Sequence, residues 1–488
     1  MRPLEADVCV VGYGPAGATL ANLIADCGLS VLVIEREADV YLLPRAVHFD
    51  DEVMRVFQTL GLADRILPHT HVSPGMHFVD AGGRLILDWS RPREVGPNGW
   101  NASYRFHQPE LERVLREAAS HKPAIDIRLR SEAFALDQDA DGVDIRFEDL
   151  AGGALHQVRA RFVVGCDGAR SLVRRLIGAG FDDLGFHERW LVVDALLKRD
   201  VPSLGDHSVQ FCDPARAATY VRGVGNRRRW EIALLAGEDP ARMTAPDQVW
   251  RLLERFIRPD DAELERVACY TFHSVIAQKW RHERLLIAGD SAHQTPPFLG
   301  QGMCAGIRDV ANLAWKLVQV IKGQAHPDLL DTYQSERSPH VRQYIELAVK
   351  LGGLINTKTA EAAVPGGLAR TEPARMESLK PLLGPGLAAG VKQWLGRVAP
   401  QPVLSDGRRL DDHVGYRFAA LLKPEFRGGL AASLLDRLRQ KDVAIVVDPA
   451  VQPWLDDIRA GGVMVRPDRY VLGAARNAQD VDSLIAAI

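Results

Sequence analysis

The chain has 488 residues, of which 47% are hydrophobic and 25% charged, with a formal net charge of −3. This balance is typical of a globular protein and excludes a disordered or fibrous chain. The small net charge and the absence of long basic runs indicate no nucleic acid or anionic membrane as a partner. The length is enough for two or three domains around a large buried ligand.

Composition also suggests where the protein works. Glu5 and Asp7 interrupt the amino-terminal segment where a signal peptide would be continuously apolar, and no apolar run is long enough for a membrane span. The six cysteines are far apart and form no C-x-x-C pair, as expected of reduced thiols. We therefore expect a cytoplasmic protein with no stable membrane association.

Three histidines, His69, His71 and His77, lie close together in the sequence and raise the question of a metal site. They have neither thiols nearby nor the helical His-x-x-x-His spacing of zinc ligands. We therefore expect no metal site.

The first motif is the segment DVCVVGYGPAGATLANLIADCGLSVLVIE. An apolar strand leads into G-x-G-x-x-G, a helix follows, and a second strand ends at Glu35, whose carboxylate could bind ribose hydroxyls. Gly12 permits the tight turn, Gly14 lets backbone approach a pyrophosphate, and Gly17 lets helix and strand pack closely. The unit predicts a dinucleotide site, with a purely structural turn as the alternative, and it does not distinguish FAD from a nicotinamide cofactor.

Two later segments help to distinguish FAD from a nicotinamide cofactor. RFVVGCDGARSLVRRLIG combines a buried strand at 162–164, a turn at Asp167 and a basic helix, which alone could be an ordinary strand-turn-helix. RLLIAGD predicts a buried strand at 285–288 that delivers Gly289 and Asp290 at its carboxyl end, where ligands of open α/β sheets gather. The segment QTPPFLGQG at 294–302, here called the proline-rich loop, then leads into a helix with apolar residues at helical spacing.

Together the three motifs resemble those of the single-component, class A FAD-dependent aromatic hydroxylases, over about residues 5 to 350. The segments LPRAVHFDDEVMRVFQTLGL, RRRWE and GQGMCAGIRDVANLAWKL are most similar to the 3-(3-hydroxyphenyl)propionate and 3-hydroxycinnamate hydroxylase branch. The resemblance implies bound FAD, with NADH or NADPH as transient reductant and O2 as oxidant. It also implies hydroxylation of a phenolic aromatic acid through a flavin C4a-hydroperoxide, in aromatic catabolism.

Three alternatives to that activity are open at this point. The substrate could be another phenol or a polyketide-type aromatic. The protein could be a related FAD-dependent reductase or dehydrogenase that inserts no oxygen. It could also be a flavin-binding protein without enzymatic activity.

The resemblance implies an α/β fold with a Rossmann-like, glutathione-reductase-like FAD-binding domain, an inserted antiparallel β-sheet substrate domain and a thioredoxin-like carboxy-terminal domain. The predicted bounds are 1–75, 100–180 and 280–350 for the FAD-binding domain, 76–99 and 181–279 for the substrate domain, 351–400 for a helical linker and 401–488 for the thioredoxin-like domain. No cysteine follows Cys304, so thiol redox chemistry in the last domain is excluded. Packing or a homodimer interface is its expected role.

The resemblance also assigns residues to the cofactor. Glu35 would hold the adenosine ribose, and Asp290 the ribityl chain. Arg45 and Gln108 would contact the ribityl and pyrophosphate side, and Asp167 would shape the site shared with the nicotinamide. The other assigned positions lie in the glycine turn, after the second strand and near the flavin ring: Gly12, Gly14, Pro15, Ala16, Gly17, Arg36, Gly289, Pro297, Gly300, Gly302, Met303 and Cys304. Many relatives have Asn at the position of Cys304, which leaves the kinetics of flavin movement open.

Substrate residues are less clearly marked. Segments between 181 and 278 are short and β-rich, as in an antiparallel sheet that covers the flavin. Gln210 and Tyr220 on that sheet could bind a phenol, and His48 is the predicted proton acceptor, although each could be an ordinary buried residue. The resemblance would turn the carbonyl of Pro297 toward the phenolic group. For a substrate carboxylate, three arginines are equally eligible: Arg189, Arg216 and Arg222.

Overall fold

The computed structural model describes residues 4–356, 373–387 and 394–488. The predicted linker, 351–400, therefore lies in part outside the described residues. Its first residues continue the helix Asp331–Asn356, and its later described residues are mostly irregular apart from the strand Ala374–Arg375. Within the described ranges, no helix is both long and apolar enough to cross a bilayer.

A mixed sheet forms the core of the amino-terminal part. Its strand Ala6–Val11 pairs in parallel with Val31–Ile34 on one side and with Leu155–Gly165 on the other. These strands are mainly apolar and buried, as expected when both faces of a parallel sheet are covered. The other strands of this sheet are Ile125–Arg128, Ser131–Gln138, Val143–Asp149, Arg281–His282 and Leu285–Ile287.

The predicted strands exist, with different bounds. The residues predicted at 162–164 are part of Leu155–Gly165, which is longer because its first half pairs with the antiparallel strand Val143–Asp149. The strand predicted at 285–288 is observed as Leu285–Ile287. Apolar and polar residues do not alternate regularly in the amino-terminal half of this strand, so the sequence did not predict that half as a strand.

Helices pack against the mixed sheet through apolar residues. Helix Pro15–Asp26 follows the first strand and packs against Gln108–Ser120 and Gly302–Ile321. The other α-helices of the described ranges are Asp51–Thr59, Ala63–Ile66, Leu172–Ile177, Pro240–Met243, Pro246–Leu253, Asp331–Asn356, Leu410–Val414, Pro424–Gly428, Ala432–Gln440, Gln452–Asp457 and Ala478–Ala486. Short 3-10 segments are Leu67–His69, Pro202–Leu204, Gly289–Ser291, Pro297–Leu299, Pro327–Leu330 and Pro449–Val451.

A second, mostly antiparallel sheet, here called the long sheet, is built largely from residues 181–277. Its strand Phe181–Leu197 pairs with Ala262–Ala277 and with Arg227–Ala233. The other strands are Gly75–Asp80, Leu85–Ser90, Ser208–Cys212, Ala218–Arg222, His293–Gln294 and Ala374–Arg375.

The two faces of the long sheet have different partners. The outer face carries Val193 and Trp230, which pack with Val249 of helix Pro246–Leu253. The inner face carries Trp190, whose ring centroid lies 5.5 Å from that of Phe298. Since side chains alternate along a strand, the inner face is the one turned toward the proline-rich loop.

A small sheet of strands His48–Asp50, Thr70–Val72 and Ser103–Phe106 lies between these two units. One face carries Phe49 and Tyr104, whose rings stack at 5.2 Å within the main hydrophobic core. The opposite face is polar and carries His48 directly across from Arg105.

The carboxy-terminal part has a sheet of its own, with strands Ala419–Leu422, Ala444–Val446, Gly462–Val465 and Val471–Ala475. Buried ion pairs join it to the rest of the chain. Arg55 donates to Asp411 across 2.7 Å, and Arg466 donates to Glu336 across 2.8 Å. All four side chains are nearly inaccessible to solvent, so this contact is part of the folded core.

Candidate active site

The glycine turn after the first strand is closed by backbone contacts. A Cβ on Gly12 would lie 2.5 Å from the carbonyl oxygen of Cys166, and one on Gly17 would lie 2.1 Å from the carbonyl oxygen of Gly12. The φ of Gly12 is +98°, a region that favours glycine. Side chains at either position would force the turn apart.

The start of helix Pro15–Asp26 is open to an anion. Gly14 is its N-cap residue, and a Cβ there would meet nothing within 4 Å. No side chain caps the first turn, which has no acidic residue, so its amides and the positive end of the helix dipole are available. Pro15 suits the first helical position because that residue needs no amide hydrogen.

Close backbone approach also fixes the end of strand Leu285–Ile287. A Cβ on Gly289 would lie 3.6 Å from both Ala16 Cβ and Gly306 Cα, and the Gly289 amide donates to Asp309 Oδ2 across 3.2 Å. Asp309, which sequence reasoning did not single out, is buried. The strand end is therefore fixed between the two helices that flank it.

Asp309 keeps its charge through two further partners. His293 Nε2 lies 2.6 Å from its Oδ2, and Arg337 Nε donates to its Oδ1 across 2.9 Å. Burial alone would raise the pKa of Asp309, but these partners hold that pKa below its usual value. In the sequence, Asp309 could have been noticed as the one acidic residue of the mainly apolar helix Gly302–Ile321.

Glu35 lies at the end of strand Val31–Ile34. Its Oε2 accepts the Tyr13 amide at 2.6 Å, and its Oε1 accepts the Glu37 amide at 2.8 Å. These bonds fix the carboxylate beside the glycine turn. Arg36 is exposed and pairs with Glu37 at 3.3 Å, so it lies at the surface edge of the site.

Gln108, predicted to contact the cofactor, binds the backbone of a neighbouring loop. Its Oε1 accepts the amides of Arg45 and Ala46 at 2.8 and 2.7 Å, and its Nε2 donates to Glu112 at 2.7 Å. The buried side-chain amide therefore holds the backbone of the Arg45 loop.

The side chain of Arg45 is half-exposed, and its Nη1 lies 3.9 Å from Asp290 Oδ2. The structure thus brings together two residues that the sequence assigned to the cofactor. Arg229, which sequence reasoning missed, donates to the carbonyls of Arg45 and Pro44 at 2.9 and 2.5 Å. Because Asp194 anchors Arg229 at 2.6 Å, the long sheet holds the Arg45 loop in place.

Asp167 joins two motifs that are far apart in sequence. Its Oδ1 accepts the hydroxyls of Ser171 and Ser291 at 2.5 and 2.9 Å, and its Oδ2 accepts the Leu172 amide at 2.7 Å. The Ser291 hydroxyl in turn accepts the Gly168 amide at 2.9 Å. Asp167 therefore ties the CDG turn to the residue that follows Asp290.

The proline-rich loop contains a short 3-10 turn and a left-handed residue. The carbonyl of Pro297 accepts the Gly300 amide at 2.8 Å, and Gly300 has a φ of +64°. At the start of helix Gly302–Ile321, no side chain caps the first turn and a Cβ on Gly302 would meet nothing within 4 Å. Met303, the next residue, is half-buried. The loop therefore offers exposed backbone at a second helix start.

Cys304 is fully buried beneath this loop. Its Sγ lies 3.7 Å from the carbonyl oxygen of His48 and 3.6 Å from that of Gly300. Burial raises the pKa of the Cys304 thiol, so the group is neutral. Its place in the fold is a packing contact between the loop and the small sheet.

His48 lies directly beneath Gly300, and both of its ring nitrogens are engaged. Nδ1 lies 3.2 Å from the Gly300 carbonyl oxygen, and Nε2 lies 2.7 Å from Arg91 Nη1 and 2.9 Å from Ser103 Oγ. Because arginine only donates, Nε2 accepts and Nδ1 carries the hydrogen. The predicted role of His48 as proton acceptor would require Arg91 to leave Nε2.

The charge state of His48 follows from its surroundings. Burial, together with the positive charges of Arg91 and Arg105, holds the pKa of His48 well below its usual range. The ring is therefore neutral near pH 7. Arg91, which was not predicted, is half-buried and places its guanidinium one side chain away from the proline-rich loop.

Gln210 lies on the inner face of the long sheet, as the predicted substrate role requires. Its Oε1 accepts the Thr219 hydroxyl at 2.6 Å, and its Nε2 donates to the Ala218 carbonyl at 3.0 Å. Glu231 lies on the same face beside Thr219. Burial raises the pKa of Glu231, although Arg229 is 3.9 Å away.

Tyr220 does not face the predicted substrate side. It neighbours Thr219 in its strand, so its side chain points to the outer face, where its ring lies 5.5 Å from that of Trp230. The sequence prediction missed this because register decides the face, and Tyr220 could not be assigned a face from composition.

The three arginines proposed for a substrate carboxylate lie elsewhere or have other partners. Arg189 is exposed. Arg216 donates to Glu238 at 2.5 Å, and Arg222 Nε lies 3.3 Å from Asp206.

The histidines near residue 70 have protein partners. His71 Nε2 lies 2.8 Å from Asp206 Oδ1, and the ring of His77 stacks on that of His207 at 4.0 Å. In the part of the chain that the structure describes, no group of three or more His, Cys, Asp and Glu side chains could hold a metal ion.

These features fit a flavin dinucleotide. Two uncapped helix starts, an open Gly14 and the fixed carboxylate of Glu35 suit the phosphates and ribose of a dinucleotide. Arg45 and Asp290 are both half-exposed, so their charged groups are accessible to a ligand.

The sequence comparisons agree with this reading. Residues 5–348 match the family described as FAD binding domain. A probable NADH-specific resorcinol 4-hydroxylase of Rhodococcus jostii (strain RHA1) is 41% identical, over 98% of this chain and 93% of the relative. A 3-(3-hydroxy-phenyl)propionate/3-hydroxycinnamic acid hydroxylase of Mycobacterium sp. (strain JLS) is 33% identical, over 99% and 92%.

Two solved structures show the same fold. The flavin-dependent monooxygenase PieE, in complex with FAD and substrate, matches with a TM-score of 0.81 at 22% identity, over 99% of both chains. Aklavinone-11 hydroxylase, in a ternary complex with FAD and aklavinone, matches with a TM-score of 0.81 at 22% identity, over 100% of both chains. This chain belongs to the FAD binding domain family and is one of its class A flavoprotein aromatic hydroxylases, which bind FAD and use NAD(P)H and O2.

Proposed function

We propose that this enzyme hydroxylates a small, single-ring phenol in aromatic catabolism. The observation that carries the proposal is the contact of Arg91 with His48, which places a positive charge behind the loop that carries Pro297 and Gly300. A nearby cation favours the phenolate form of a phenol, which is the more nucleophilic form of the ring. The enclosed surroundings of His48 also exclude bulk water.

The residues that would hold FAD are those of the two helix starts and the Arg45 loop. Gly12, Gly14 and Gly17 would admit the pyrophosphate, Glu35 the ribose, and Asp290 with Arg45 the ribityl side. The bound flavin would supply electron transfer from NAD(P)H and activation of O2. The chain's own residues position the ring, keep water out and favour the phenolate.

Two substrates deserve the first test. The resemblance in sequence motifs favours 3-(3-hydroxyphenyl)propionate, whereas the relative at 41% identity bears the name of a resorcinol hydroxylase. That relative is also named as NADH-specific, which supports NADH over NADPH here. A polyketide-type aromatic is the weaker candidate.

We also propose the finer domain arrangement that the sequence predicted. The long sheet, built largely from residues 181–277, would be the substrate domain inserted into a glutathione-reductase-like FAD domain. The carboxy-terminal sheet would be a thioredoxin-like domain without cysteines, with a packing or homodimer role in a cytoplasmic enzyme. Its parallel pairing of Ala419–Leu422 with Ala444–Val446 supports this.

The test uses the purified yellow holoenzyme. Resorcinol and 3-(3-hydroxyphenyl)propionate are each added with NADH or NADPH, and NAD(P)H oxidation, O2 uptake and product mass are measured. We expect one phenol to accelerate oxidation and to gain one oxygen atom. Accelerated NAD(P)H oxidation without an oxygenated product would instead support a reductase, and bound FAD with no phenol-dependent oxidation would support a flavin-binding protein.

A further inference from the structure

Arg105 lies on the polar face of the small sheet, at its centre. It pairs directly with His48 on one side and with His71 on the other. Directly opposite residues of neighbouring strands share a face, so the Arg105 side chain is on the side of His48. Its Nη2 donates to Ser208 of the long sheet at 2.8 Å, which places the guanidinium between the two sheets.

The Arg105 guanidinium is buried and largely unsatisfied. The residue is only 8% exposed, and its Nε has no hydrogen-bond partner. Among the described residues, no carboxylate lies within ion-pair distance of it, and Ser208 provides its one hydrogen bond. A guanidinium has five donors, so most of its capacity is unused.

Other buried arginines of this chain differ in this respect. Several have a carboxylate at 2.6 to 2.9 Å: Arg55, Arg229, Arg308, Arg337 and Arg466. Arg174 and Arg228 lack a carboxylate, but each donates to two backbone carbonyls. Arg105 has neither arrangement.

Leaving a cation in this state is unfavourable. Burial, with the like charge of Arg91, lowers the pKa of Arg105 to about 9. The Glu231 carboxylate offsets this shift in part but is not within ion-pair distance, so the charge is buried without an ion-pair partner, which is unfavourable. An anionic ligand at this position would remove that cost, because it would supply the missing acceptors.

We propose that Arg105 binds the oxyanion of the aromatic substrate, with Ser208 fixing its guanidinium. This inference rests on the proposed function. The oxyanion could be the phenolate of the ring or a side-chain carboxylate, and both match the planar fork of arginine. Arg91 would add a second positive charge from behind His48. Arg105 is thus the specificity-determining arginine that the sequence sought among Arg189, Arg216 and Arg222.

The test compares two variants of the holoenzyme. Arg105→Met keeps the length of the side chain and removes the charge, and Arg105→Lys keeps the charge but lacks the fork. Binding of resorcinol and of 3-(3-hydroxyphenyl)propionate is measured by perturbation of the flavin absorbance. We expect Kd to rise by about 10- to 100-fold in Arg105→Met, the loss of a charged hydrogen bond, and by less in Arg105→Lys.

The melting temperature of the substrate-free protein separates a binding role from a structural one. Removing an unpaired buried charge should leave it unchanged or raise it, while FAD content stays normal. Arg228→Met is the matched control, because Arg228 is equally buried on the long sheet but points to the outer face with Tyr220. That control should leave both Kd values unchanged.

The outcomes are distinct. Weaker binding of 3-(3-hydroxyphenyl)propionate alone supports a carboxylate ligand, and weaker binding of resorcinol supports a phenolate ligand. Unchanged Kd values in Arg105→Met for a phenol that the wild type hydroxylates would overturn the inference and leave the proposed function intact. Loss of FAD and a lower melting temperature in both variants would also overturn it. If the wild type neither binds nor hydroxylates any phenol, the proposed function itself fails.

Discussion

His48 donates from Nδ1 to the carbonyl of Gly300 while its Nε2 accepts from Arg91, so one neutral imidazole connects the Arg91 guanidinium to the proline-rich loop. The arrangement makes His48 a support of the loop first. Arg91 also lies over the ring of Trp89 at 4.5 Å, which fixes the cation from the other side.

The low pKa of His48 has a consequence for stability. Below pH about 6.5, the unfolded chain binds a proton on this histidine and the folded chain does not, so the free energy of unfolding falls as the pH falls, by up to about 1.4 kcal/mol per pH unit. His48→Gln should flatten this slope between pH 6.5 and 5 in urea unfolding, while the exposed His326→Gln should not. An unchanged slope in His48→Gln would place the protonation elsewhere. The variant should retain FAD but hydroxylate poorly.

Asp290 is predicted to be required for FAD retention. Asp290→Ala removes the half-exposed carboxylate beside Arg45, and the purified protein should be largely colourless. FAD affinity should fall by about 10- to 100-fold, the value of a charged hydrogen bond, in a fluorescence titration. Asp328→Ala, at an exposed acid, is the control. A fully yellow Asp290→Ala protein would remove Asp290 from the site.

Alanine substitutions at two glycines of the turn should have different effects on folding. Gly14→Ala has room for its Cβ and should fold normally, yet the methyl group would obstruct a pyrophosphate, so FAD content should fall. Gly17→Ala would collide with the carbonyl of Gly12 and should lower the melting temperature as well. Gly353→Ala, an open helical position, should be harmless. Normal FAD content in Gly14→Ala would argue against pyrophosphate binding at this helix start.

Variants at Tyr220 and Gln210 should differ in their kinetics, because the two side chains lie on opposite faces of the long sheet. Tyr220→Phe changes only the outer face and should leave turnover and substrate Kd unaltered. Gln210→Ala removes an inner-face side chain that Thr219 holds, and it should raise the substrate KM. Steady-state kinetics on both variants provide the comparison, and a larger effect at Tyr220 would contradict the assignment of faces.

The buried ion pair of Arg466 should contribute strongly to stability. Arg466→Met leaves Glu336 and Asp468 short of a cation and should cost about 3–5 kcal/mol, the usual cost of breaking a buried pair from one side. Arg437→Met breaks an exposed pair with Asp482 and should cost less than about 1 kcal/mol. Urea midpoints of the two variants test this, and equal shifts would show that burial of the pair is unimportant.

Local patterns in the sequence predicted the glycine turn and the strands around it. The roles of Gly12 and Gly17 follow from spacing within one β-α-β unit, and the structure shows the close contacts that this spacing requires. The domain bounds and the roles of individual site residues stay predictions.

The substrate side was harder because it depends on pairing between distant strands. His48 and Arg105 are neighbours only because their strands pair in the small sheet. Arg91, which donates to His48 Nε2, directly follows strand Leu85–Ser90 of the long sheet. In SYRF, an arginine between aromatic residues of a buried strand was the one available signal for Arg105. The contacts of Gln108 with Arg45 and Ala46 could not be predicted, since these partners are some 60 residues away, and its cofactor contact stays a prediction.

The carboxy-terminal part reaches the proline-rich loop through a chain of side-chain contacts. Tyr470 donates to Glu52 at 2.6 Å, Arg308 binds the other oxygen of Glu52 at 2.6 Å, and Arg308 also donates to Gln301 at 3.1 Å. A chain cut before residue 400 would therefore lack the Tyr470 hydroxyl that donates to Glu52. We therefore expect the FAD-binding part to be less stable as an isolated fragment than in the full chain, because it shares buried contacts with the carboxy-terminal part.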